Sequence, residues 1–324
     1  MRAAVIERYG PPEVVRLREV PKPVPGDDDV LVRARATTVN SGDTRVRGIT
    51  VPGGPVFAFL MRLNLGFNAP KQPVGGFEMA GEVEAVGRNV TAFKVGDRVV
   101  GSHGFRFGLH QEYATFGAED ALALIPTGVS YEDAVAVMFG GTTAELFFRK
   151  CGLEAGQTIL INGASGSVGT MAVQLAKLAG AEVTAVCSAA NAETMRGLGA
   201  DHAIAYDRED FTANGKTYDV IMDNHGNAPF SRVKGSLKPG GKHLLVIFDR
   251  LGDFVAAKRN KQVIEASEAD NAFNPATYVH LLDLTARGAI RAVIDSVYPF
   301  EQIAEAHRRV DTGRKVGSVV VTFG

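Results

Sequence analysis

The pattern of apolar and polar positions along the chain changes near residue 125. Before that point, short β-rich runs alternate with proline, glycine and aspartate, which interrupt regular structure. The predicted strands lie within 3–10, 14–20, 29–39, 79–87, 97–101 and 110–116. Turn residues at 87–89 and 95–97 favour a compact antiparallel β-barrel here. Residues 48–73 mix apolar side chains with glycine and proline, which is compatible with a lid or a short helix.

After Pro126 the predicted strands and helices alternate, which is typical of a doubly wound parallel sheet. Strands are expected at 159–162, 182–187, 202–206, 218–223, 242–248 and about 262–267. Helices are expected at 131–150, 168–179 and 191–198. A helix from Asn274, and two strands around a helix at 301–313, complete the chain. The predicted fold class is therefore α/β, a β-barrel with a doubly wound parallel sheet.

A glycine-rich turn at 163–169 is the most informative stretch, because it lies between a predicted strand and a predicted helix. In this order, glycines let the backbone approach a pyrophosphate, and the N–H groups and positive dipole of the helix end attract it. Ala164 stands in place of the first glycine of the usual fingerprint. The motif is therefore recognised by its position between a strand and a helix. The alternative is a strand–helix corner without a ligand. The predicted cofactor-binding residues here are Ala164, Ser165, Gly166, Ser167 and Val168.

Composition narrows the functional classes. The chain has 324 residues, enough for two domains, and a formal net charge of -1, which gives no reason to expect nucleic acid or an anionic membrane as partner. No apolar run is long enough to span a bilayer, and the first residues lack a secretory signal. Two cysteines, Cys151 and Cys187, are too few for a disulfide framework. We expect a cytoplasmic protein that acts on a small molecule.

Several motifs in a fixed order resemble those of the medium-chain dehydrogenases/reductases, and most closely the zinc-free quinone oxidoreductase (zeta-crystallin-like) branch. They are TVNSGDTRVRG (38–48), PVGGFEMAGEVEAVG (73–87), VGDRVVG (95–101), INGASGSVGTMAVQLAK (161–177), GADHAIAYDREDF (199–211) and YPFEQIAEAHRRVDTGRKVGSVVV (298–321). The resemblance covers essentially the whole chain. It implies a GroES-like catalytic domain over 1–124, a Rossmann domain over 125–267 and a return to the catalytic domain over 268–324. It also implies a homodimer joined through the sheet edge near 262–267.

Zinc-dependent members of this family have a cysteine where this chain has Asn40 and a histidine where it has Phe77, and neither residue here is a zinc ligand. His103 and His110 can form a weak pair, although solvated or core histidines are the ordinary state. We predict no metal. Without a Lewis acid, alcohol oxidation is difficult. Hydride addition to a quinone or an α,β-unsaturated carbonyl needs alignment, exclusion of water and a hydrogen bond to the developing enolate.

The choice of nicotinamide depends on the residues after the strand at 182–187. No acid follows it, whereas NAD-specific domains place one there on the ribose 2′-hydroxyl. The resemblance places Tyr206 beside an adenosine 2′-phosphate, and Ser188 and Asn191 can donate hydrogen bonds. The basic residue that relatives often have nearby is missing; candidates to replace it are Arg196 and Arg208. Because of the missing acid we predict NADPH, with NADH as the alternative.

The resemblance places Asn40 and Thr143 beside the nicotinamide, and Asp43 in the same turn as Asn40. Asn40 can instead close an Asx-type turn, and Thr143 can instead cap a helix. Asp43 as a proton donor needs a raised pKa, which the sequence does not reveal. Water or a substrate hydroxyl can complete the protonation instead.

Further cofactor contacts follow from the same resemblance. Asn224 lies near the adenosine, and the backbone from Val246 to Phe248 bonds the carboxamide, although relatives are glycine-rich just after this point. Arg314 and Lys315 either reach the cofactor or flank the last strand as solvated charges.

The predicted function is NADPH-dependent, zinc-independent reduction of quinones or α,β-unsaturated carbonyls. A short-chain dehydrogenase is excluded, because none of the seven tyrosines has a lysine four positions later. Two alternatives stay open: a non-catalytic NADPH-binding sensor or structural protein, and a zinc-free aldehyde or alcohol oxidoreductase. Turnover of the reduced cofactor with any electrophile distinguishes an enzyme from a sensor.

Overall fold

The computed structural model describes residues 1–50, 54–247, 252, 258–265 and 272–324. Within these residues the chain forms two compact units. The first comprises the described parts of Met1–Val51, Ala58–Phe139 and Ala272–Gly324, and the second those of Pro52–Phe57 and Gly140–Asn271. The domain boundaries predicted from the sequence, after residues 124 and 267, lie earlier in the chain than the divisions after Phe139 and Asn271. These boundaries stay predictions.

Strands and helices follow in the order that the hydrophobic pattern predicts. The strands described are β1 (Arg2–Ile6), β2 (Val15–Glu19), β3 (Val30–Val39), β4 (Glu78–Val86), β5 (Arg98–Ser102), β6 (Tyr113–Phe116), β7 (Ala121–Leu124), β8 (Thr158–Asn162), β9 (Glu182–Cys187), β10 (His202–Ala205), β11 (Tyr218–Asp223), β12 (Leu237–Leu245), β13 (Val263–Ile264), β14 (Ile294–Pro299) and β15 (Ser318–Thr322). The α-helices described are α1 (Ser41–Gly48), α2 (Gly54–Leu65), α3 (Tyr131–Cys151), α4 (Ser167–Leu178), α5 (Ala192–Gly197), α6 (Phe230–Val233), α7 (Pro275–Ala286) and α8 (Ile303–Asp311).

The first unit is built on a mainly antiparallel sheet. Its described strands have the order β14-β15-β3-β4-β5-β7, with β6 also on β3, and β1 pairs with β2 separately. β15 lies antiparallel to β3, with Val319 opposite Val39. The last strand of the chain therefore belongs to the same sheet as β3. Helix α8 packs the apolar side chains of Ile303 and Val310 into this unit's core. The segment 48–73, left open between lid and helix, contains helix α2.

The second unit holds a parallel sheet. Within the described residues its strand order is β10-β9-β8-β11-β12-β13, and every pair is parallel. The order runs outwards in both directions from β8, which is the doubly wound arrangement that the alternation of strands and helices predicts. Asn162 lies opposite Val186 and Asp223, so the carboxyl ends of β8, β9 and β11 share one sheet edge. Ligands of open α/β sheets bind at that edge.

His243 is a buried polar side chain in the second unit. His243 on β12 is fully buried, and neither ring nitrogen has a hydrogen-bond partner in the described part of the chain. Burial lowers the pKa of His243 to about 4, although the carboxylate of Asp223 opposes this shift. An unfolded histidine takes up its proton near pH 6.5, so protonation favours the unfolded chain as the pH falls from that value toward 4. Once the pH has fallen to about 4, the free energy of unfolding is lower by about 3 kcal/mol.

Replacing His243 by leucine is expected to raise the free energy of unfolding by about 1–2 kcal/mol near neutral pH, because an unpaired buried polar group is removed. The gain over the wild type is expected to grow at about pH 5, where the unfolded wild-type histidine is charged. Urea unfolding of both proteins at the two pH values measures the difference. A gain that is the same at both values contradicts the assigned pKa.

Candidate functional site

The glycine-rich turn after β8 has the geometry of a phosphate cradle. A Cβ on Gly169 would lie 2.3 Å from the carbonyl oxygen of Gly163, so the helix packs on the turn too closely for any side chain there. At Gly166 the nearest atom to such a Cβ is 3.7 Å away, which leaves the backbone open to a ligand. Helix α4 begins after Gly166, which has no side chain with which to cap it. The start of a helix after such a turn attracts an anion through its N–H groups and its positive dipole.

At the neighbouring end of β11, the buried carboxylate of Asp223 shapes the following turn. Its donors are the amide of Asn162 at 2.8 Å and the N–H groups of His225, Gly226 and Ala228 at 3.0 Å each. The turn holds Asn224, whose side-chain amide has no partner for either polar atom among the described residues. A Cβ on Gly163 would lie 3.5 Å from the Cβ of Asn224, so this amide borders the cradle. An unpaired amide in this position can be satisfied by a bound ligand.

An acid that the sequence does not predict there lies beside the loop after β9. Asp207 follows β10, and its carboxylate accepts a hydrogen bond from the N–H of Ala189 at 3.0 Å. Because β9 and β10 are parallel, with Cys187 opposite Ala205, the residues after the two strands lie side by side. Tyr206 is 66% exposed. The predicted contacts Ser188 and Asn191 are half-buried and cap no helix through their side chains, as far as the structure describes them.

Asn40 and Asp43 form a reciprocal cap at the start of α1 in the first unit. The Asn40 side-chain oxygen accepts the N–H groups of Gly42 and Asp43, at 2.8 and 3.3 Å, and Asp43 accepts the N–H of Asn40 at 2.8 Å. This arrangement is a capping box. The side-chain oxygen of Asn40 therefore has the turn-forming role that was the alternative for this residue. Its buried Nδ2, however, has no partner in the residues that the structure describes. A buried donor of this kind calls for a partner such as an ordered water or a bound ligand.

Asp43 is held by backbone groups on both sides. Its second oxygen accepts the N–H of Gly76 at 3.1 Å and lies 4.0 Å from Nε2 of His110. Burial raises the pKa of Asp43, while His110 and the backbone donors oppose the rise. These contacts make Asp43 a residue that positions the Asn40 turn, and its part as proton donor stays a prediction.

The ring nitrogens of His103 and His110 face backbone carbonyl oxygens. Nε2 of His110 donates to the carbonyl oxygen of Thr38 at 2.9 Å. The ring nitrogens of His103 lie 3.1 and 3.0 Å from the carbonyl oxygens of Phe107 and Thr115. His110 is a buried histidine bonded to the backbone, and His103 is half-buried beside two backbone carbonyl oxygens.

Phe77 lies at the centre of an aromatic cluster in the first unit. The rings around it belong to Phe105, Phe107, Phe139 and Phe273, at centroid distances of 6.1, 4.7, 5.4 and 6.4 Å. We call these five residues the phenylalanine cluster. Phe77 is buried but Phe105 is 53% exposed, so solvent reaches one side of the cluster. Phe107 has a φ of +56°, a conformation that costs energy in an L residue and is often found at binding sites.

Gly42 joins the phenylalanine cluster to the capping turn. A Cβ at this position would lie 2.8 Å from the ring of Phe77 and 2.9 Å from the side-chain oxygen of Asn40. The unpaired amide of Asn40 and the central ring of the cluster therefore border the same glycine. The sequence contains both residues but does not show that they meet.

Glu78 is a buried acid that the sequence analysis missed. The hydroxyl of Thr38 donates to one of its oxygens at 2.6 Å, while the other has no partner among the described residues. Burial raises the pKa of Glu78 to about 8, so the carboxyl group is mainly protonated at neutral pH. The buried hydroxyl of Tyr278, near Ser102 and Glu78, likewise finds no partner within hydrogen-bond distance in the described residues. A motif search gives no signal for this pair, because Tyr278 comes from α7.

The other predicted site residues are placed as follows. Thr143 is half-buried in the middle of α3, so the helix-cap alternative for it is wrong. Val246 follows β12 and donates its N–H to the carbonyl oxygen of Asp223 at 3.2 Å. Phe248 lies outside the described residues. Asn40 and Asp43 belong to the first unit, and Thr143 and the cradle to the second.

Arg314 and Lys315 differ from each other. Arg314 is exposed, which agrees with a solvated charge. Lys315 is buried, and its Nζ donates to the carbonyl oxygen of Gly317 at 2.6 Å. Burial lowers the pKa of Lys315 to about 8. The solvated alternative is therefore wrong for Lys315.

Known proteins resemble this chain over nearly its whole length. Residues 26–147 match the alcohol dehydrogenase GroES-like domain, and residues 198–321 match the family described as zinc-binding dehydrogenase. A quinone oxidoreductase of Pseudomonas aeruginosa is 33% identical over 97% of both chains. This chain belongs to the medium-chain dehydrogenases/reductases, in their quinone oxidoreductase branch. It is an oxidoreductase that uses a nicotinamide cofactor.

Solved structures of this family confirm the fold. The quinone oxidoreductase of Coxiella burnetii has a TM-score of 0.86, with 26% identity over 99% of both chains. The quinone oxidoreductase of Pseudomonas syringae has a TM-score of 0.81, with 27% identity over 99% of this chain and 100% of that one. The predicted fold class, a GroES-like unit with a Rossmann-like parallel sheet, is therefore confirmed.

One of the matched families is described as zinc-binding, so the donors in this chain need comparison with a zinc site. Protein zinc is held by cysteine, histidine and carboxylate groups. In the described residues no group of three or more His, Cys, Asp or Glu side chains could hold a metal. Phe77 offers an aromatic ring, and the Asn40 oxygen already accepts two backbone N–H groups. These two residues do not fit a zinc site.

The length and apolar character of the described helices can be compared with what a membrane span requires. None of them has both the length and the apolar character that crossing a membrane requires. The cytoplasmic location stays a prediction.

Proposed function

We propose that this protein is a zinc-independent NAD(P)H-dependent reductase of quinones or α,β-unsaturated carbonyl compounds. The observation that carries the proposal is the phenylalanine cluster, which is open on one side and borders the unpaired amide of Asn40. Aromatic rings bind flat, electron-poor rings by stacked and edge-to-face contacts. The relatives named above as quinone oxidoreductases support the same substrate class.

The chain has groups suited to a nicotinamide dinucleotide. The open backbone at Gly166 and the uncapped start of α4 would hold its pyrophosphate, and the amide of Asn224 borders that place. When bound, the reduced nicotinamide supplies a hydride to an electrophilic carbon. The sequence-based preference for NADPH rests on the absence of an acid after β9. The carboxylate of Asp207, bonded to the N–H of Ala189, lies beside that loop.

The first unit supplies binding and electrostatic stabilisation. The phenylalanine cluster orients a planar substrate and excludes water from its ring face. The Nδ2 group of Asn40 donates a hydrogen bond to an oxygen on which negative charge develops. No zinc is needed for this reaction, because a quinone or enone already delocalises the arriving charge onto oxygen. Water or a substrate hydroxyl provides the proton.

We also propose a homodimer formed through β13. This strand is the last of the parallel sheet in the described residues, and its free edge can pair with a second copy. Light scattering of the purified protein tests the assembly.

Replacing Phe105 by alanine is expected to raise the KM for a planar quinone about tenfold, because one ring of the cluster is lost, and to leave the Kd of the dinucleotide unchanged. Phe105 is 53% exposed, so stability is expected to change little. The matched control is Phe67→Ala, because Phe67 is 58% exposed and packs against Phe59. Steady-state kinetics of the three proteins measure the effect. Equal KM values in both variants contradict quinone binding at the cluster.

A further inference from the structure

An acidic group lies beside the loop after β9, although that loop contains none in its own sequence. Oδ1 of Asp207 accepts the N–H of Ala189, the first residue of the 3-10 turn after β9, at 3.0 Å. The N–H of Tyr206 donates to the carbonyl oxygen of Cys187 at 3.0 Å, which extends the pairing of β9 and β10. This pairing fixes Asp207 next to the loop.

In a doubly wound sheet this loop has a defined partner. The first strand carries the phosphate turn, and the end of the second strand borders the 2′ position of the adenosine ribose. Here β8 carries the turn and β9 is the second strand. An acid at this place bonds an unmodified 2′-hydroxyl and repels a 2′-phosphate. Asp207 supplies that acid from the next strand along the sheet.

The second oxygen of Asp207 is available for this role. The side chain is exposed, and in the described part of the chain its Oδ2 accepts no hydrogen bond. A carboxylate oxygen beside a ribose can accept a hydrogen bond from a hydroxyl, but it can only repel a phosphate.

Arg196 is a cation that acts on the same thiol as this carboxylate. Burial raises the pKa of Cys187, and two charges then act on it in opposite directions: Arg196 lowers the pKa and Asp207 raises it. The two charges therefore act on the same thiol from opposite directions, and the effect of Arg196 on its pKa is the larger.

We infer that Asp207 makes this protein bind NADH in preference to NADPH. The inference rests on the proposed function, since it concerns the same dinucleotide site. A phosphate monoester carries a charge of about -1.5 to -2 at neutral pH. Repulsion by a solvent-exposed carboxylate a few ångströms away corresponds to a factor of about ten in Kd.

The test is a binding measurement that needs no turnover. The chain has no tryptophan, so the fluorescence of the bound dinucleotide itself is followed during titration with NADH and with NADPH. The wild type is expected to have a Kd for NADH about tenfold lower than for NADPH. Calorimetry with ADP-ribose and with its 2′-phosphate isolates the adenosine end.

The variant Asp207→Asn keeps an oxygen for the N–H of Ala189 but removes the charge. It is expected to lower the Kd for NADPH about tenfold and to change the Kd for NADH less than about threefold. The control is Asp210→Asn, because Asp210 is an exposed aspartate that bonds Thr212 and Arg232. It is expected to leave the ratio of the two Kd values unchanged.

Salt provides a second readout on the unmodified protein. Raising the salt concentration from about 0.05 M to about 0.5 M is expected to bring the wild-type Kd values for NADH and NADPH closer together. The reason is that salt screens the repulsion between exposed charges. If Asp207→Asn does not fold, Asp207→Ser and this salt dependence decide the question.

Three results would overturn the inference. They are tighter binding of NADPH than NADH by the wild type, an unchanged ratio in Asp207→Asn, and a wild-type ratio that does not respond to salt. Each of these leaves the proposed reductase function standing. If neither dinucleotide binds, the proposed function itself is wrong, and the inference falls with it.

Discussion

Replacing Asp223 by alanine is expected to lower the free energy of unfolding by about 4 kcal/mol and to abolish dinucleotide binding. The carboxylate is fully buried and accepts hydrogen bonds from one side-chain amide and three backbone N–H groups. Its removal leaves these buried donors unpaired, and each unpaired donor costs about 1–3 kcal/mol before the structure relaxes. The turn that holds Asn224 beside the cradle is lost as well. Urea unfolding and titration with NADH measure the two effects.

Two variants serve as controls for Asp223→Ala. Asp223→Asn keeps one acceptor oxygen and is expected to lose about half as much stability. Asp210→Ala removes an exposed aspartate of the same unit, with its ion pair to Arg232, and is expected to cost less than about 1 kcal/mol. If Asp223→Ala is as stable as Asp210→Ala, the hydrogen bonds of Asp223 do not shape this turn.

Replacing Asn40 by serine is expected to lower kcat/KM for a quinone about 100-fold, with a change of less than about 1 kcal/mol in the free energy of unfolding. Serine caps a helix about as well as asparagine, so the cap of α1 is retained. It lacks the amide Nδ2, which is the donor without a partner among the described residues. The variant therefore separates the capping role of Asn40 from its role toward the substrate.

The matched control for Asn40→Ser is Asn274→Ser. Asn274 caps α7, and its side-chain oxygen accepts the N–H of Thr277 at 3.0 Å. The same exchange is expected to change stability by a similar amount and to keep kcat/KM within about threefold. Equal activity of the two variants would show that Asn40 is a helix cap and takes no part in the reaction.

Local patterns predicted the parallel sheet well. The strands at 182–187 and 218–223 were expected at the bounds where they lie, because each is a buried apolar run between turn residues. The glycine turn was recognised for the same reason, since strand, turn and helix are consecutive in the chain. The expected strands at 242–248 and 262–267 correspond to β12 and β13, but residues 248, 266 and 267 lie outside the described residues.

Features made by distant pairing could not be read from the sequence. Strand β7 is four residues long, and it exists because it pairs with β5. Asp207 reaches Ala189 only through the parallel pairing of β9 and β10, so a search of the loop after β9 found no acid. The phenylalanine cluster likewise joins residues from 77 to 273. Such contacts depend on tertiary packing, for which a single sequence holds no periodic signal.

Hydride transfer to quinones or enones without a metal is the activity proposed for this protein. Its most direct test follows the loss of NADH and NADPH absorbance in the presence of chelator-treated protein. The substrates are 9,10-phenanthrenequinone, 1,4-benzoquinone, 2-hexenal and a simple aldehyde. We expect turnover of the quinones or the enal that survives chelation, with little turnover of the aldehyde. Dinucleotide binding without turnover of any substrate, or activity that appears only when zinc is added, would contradict it.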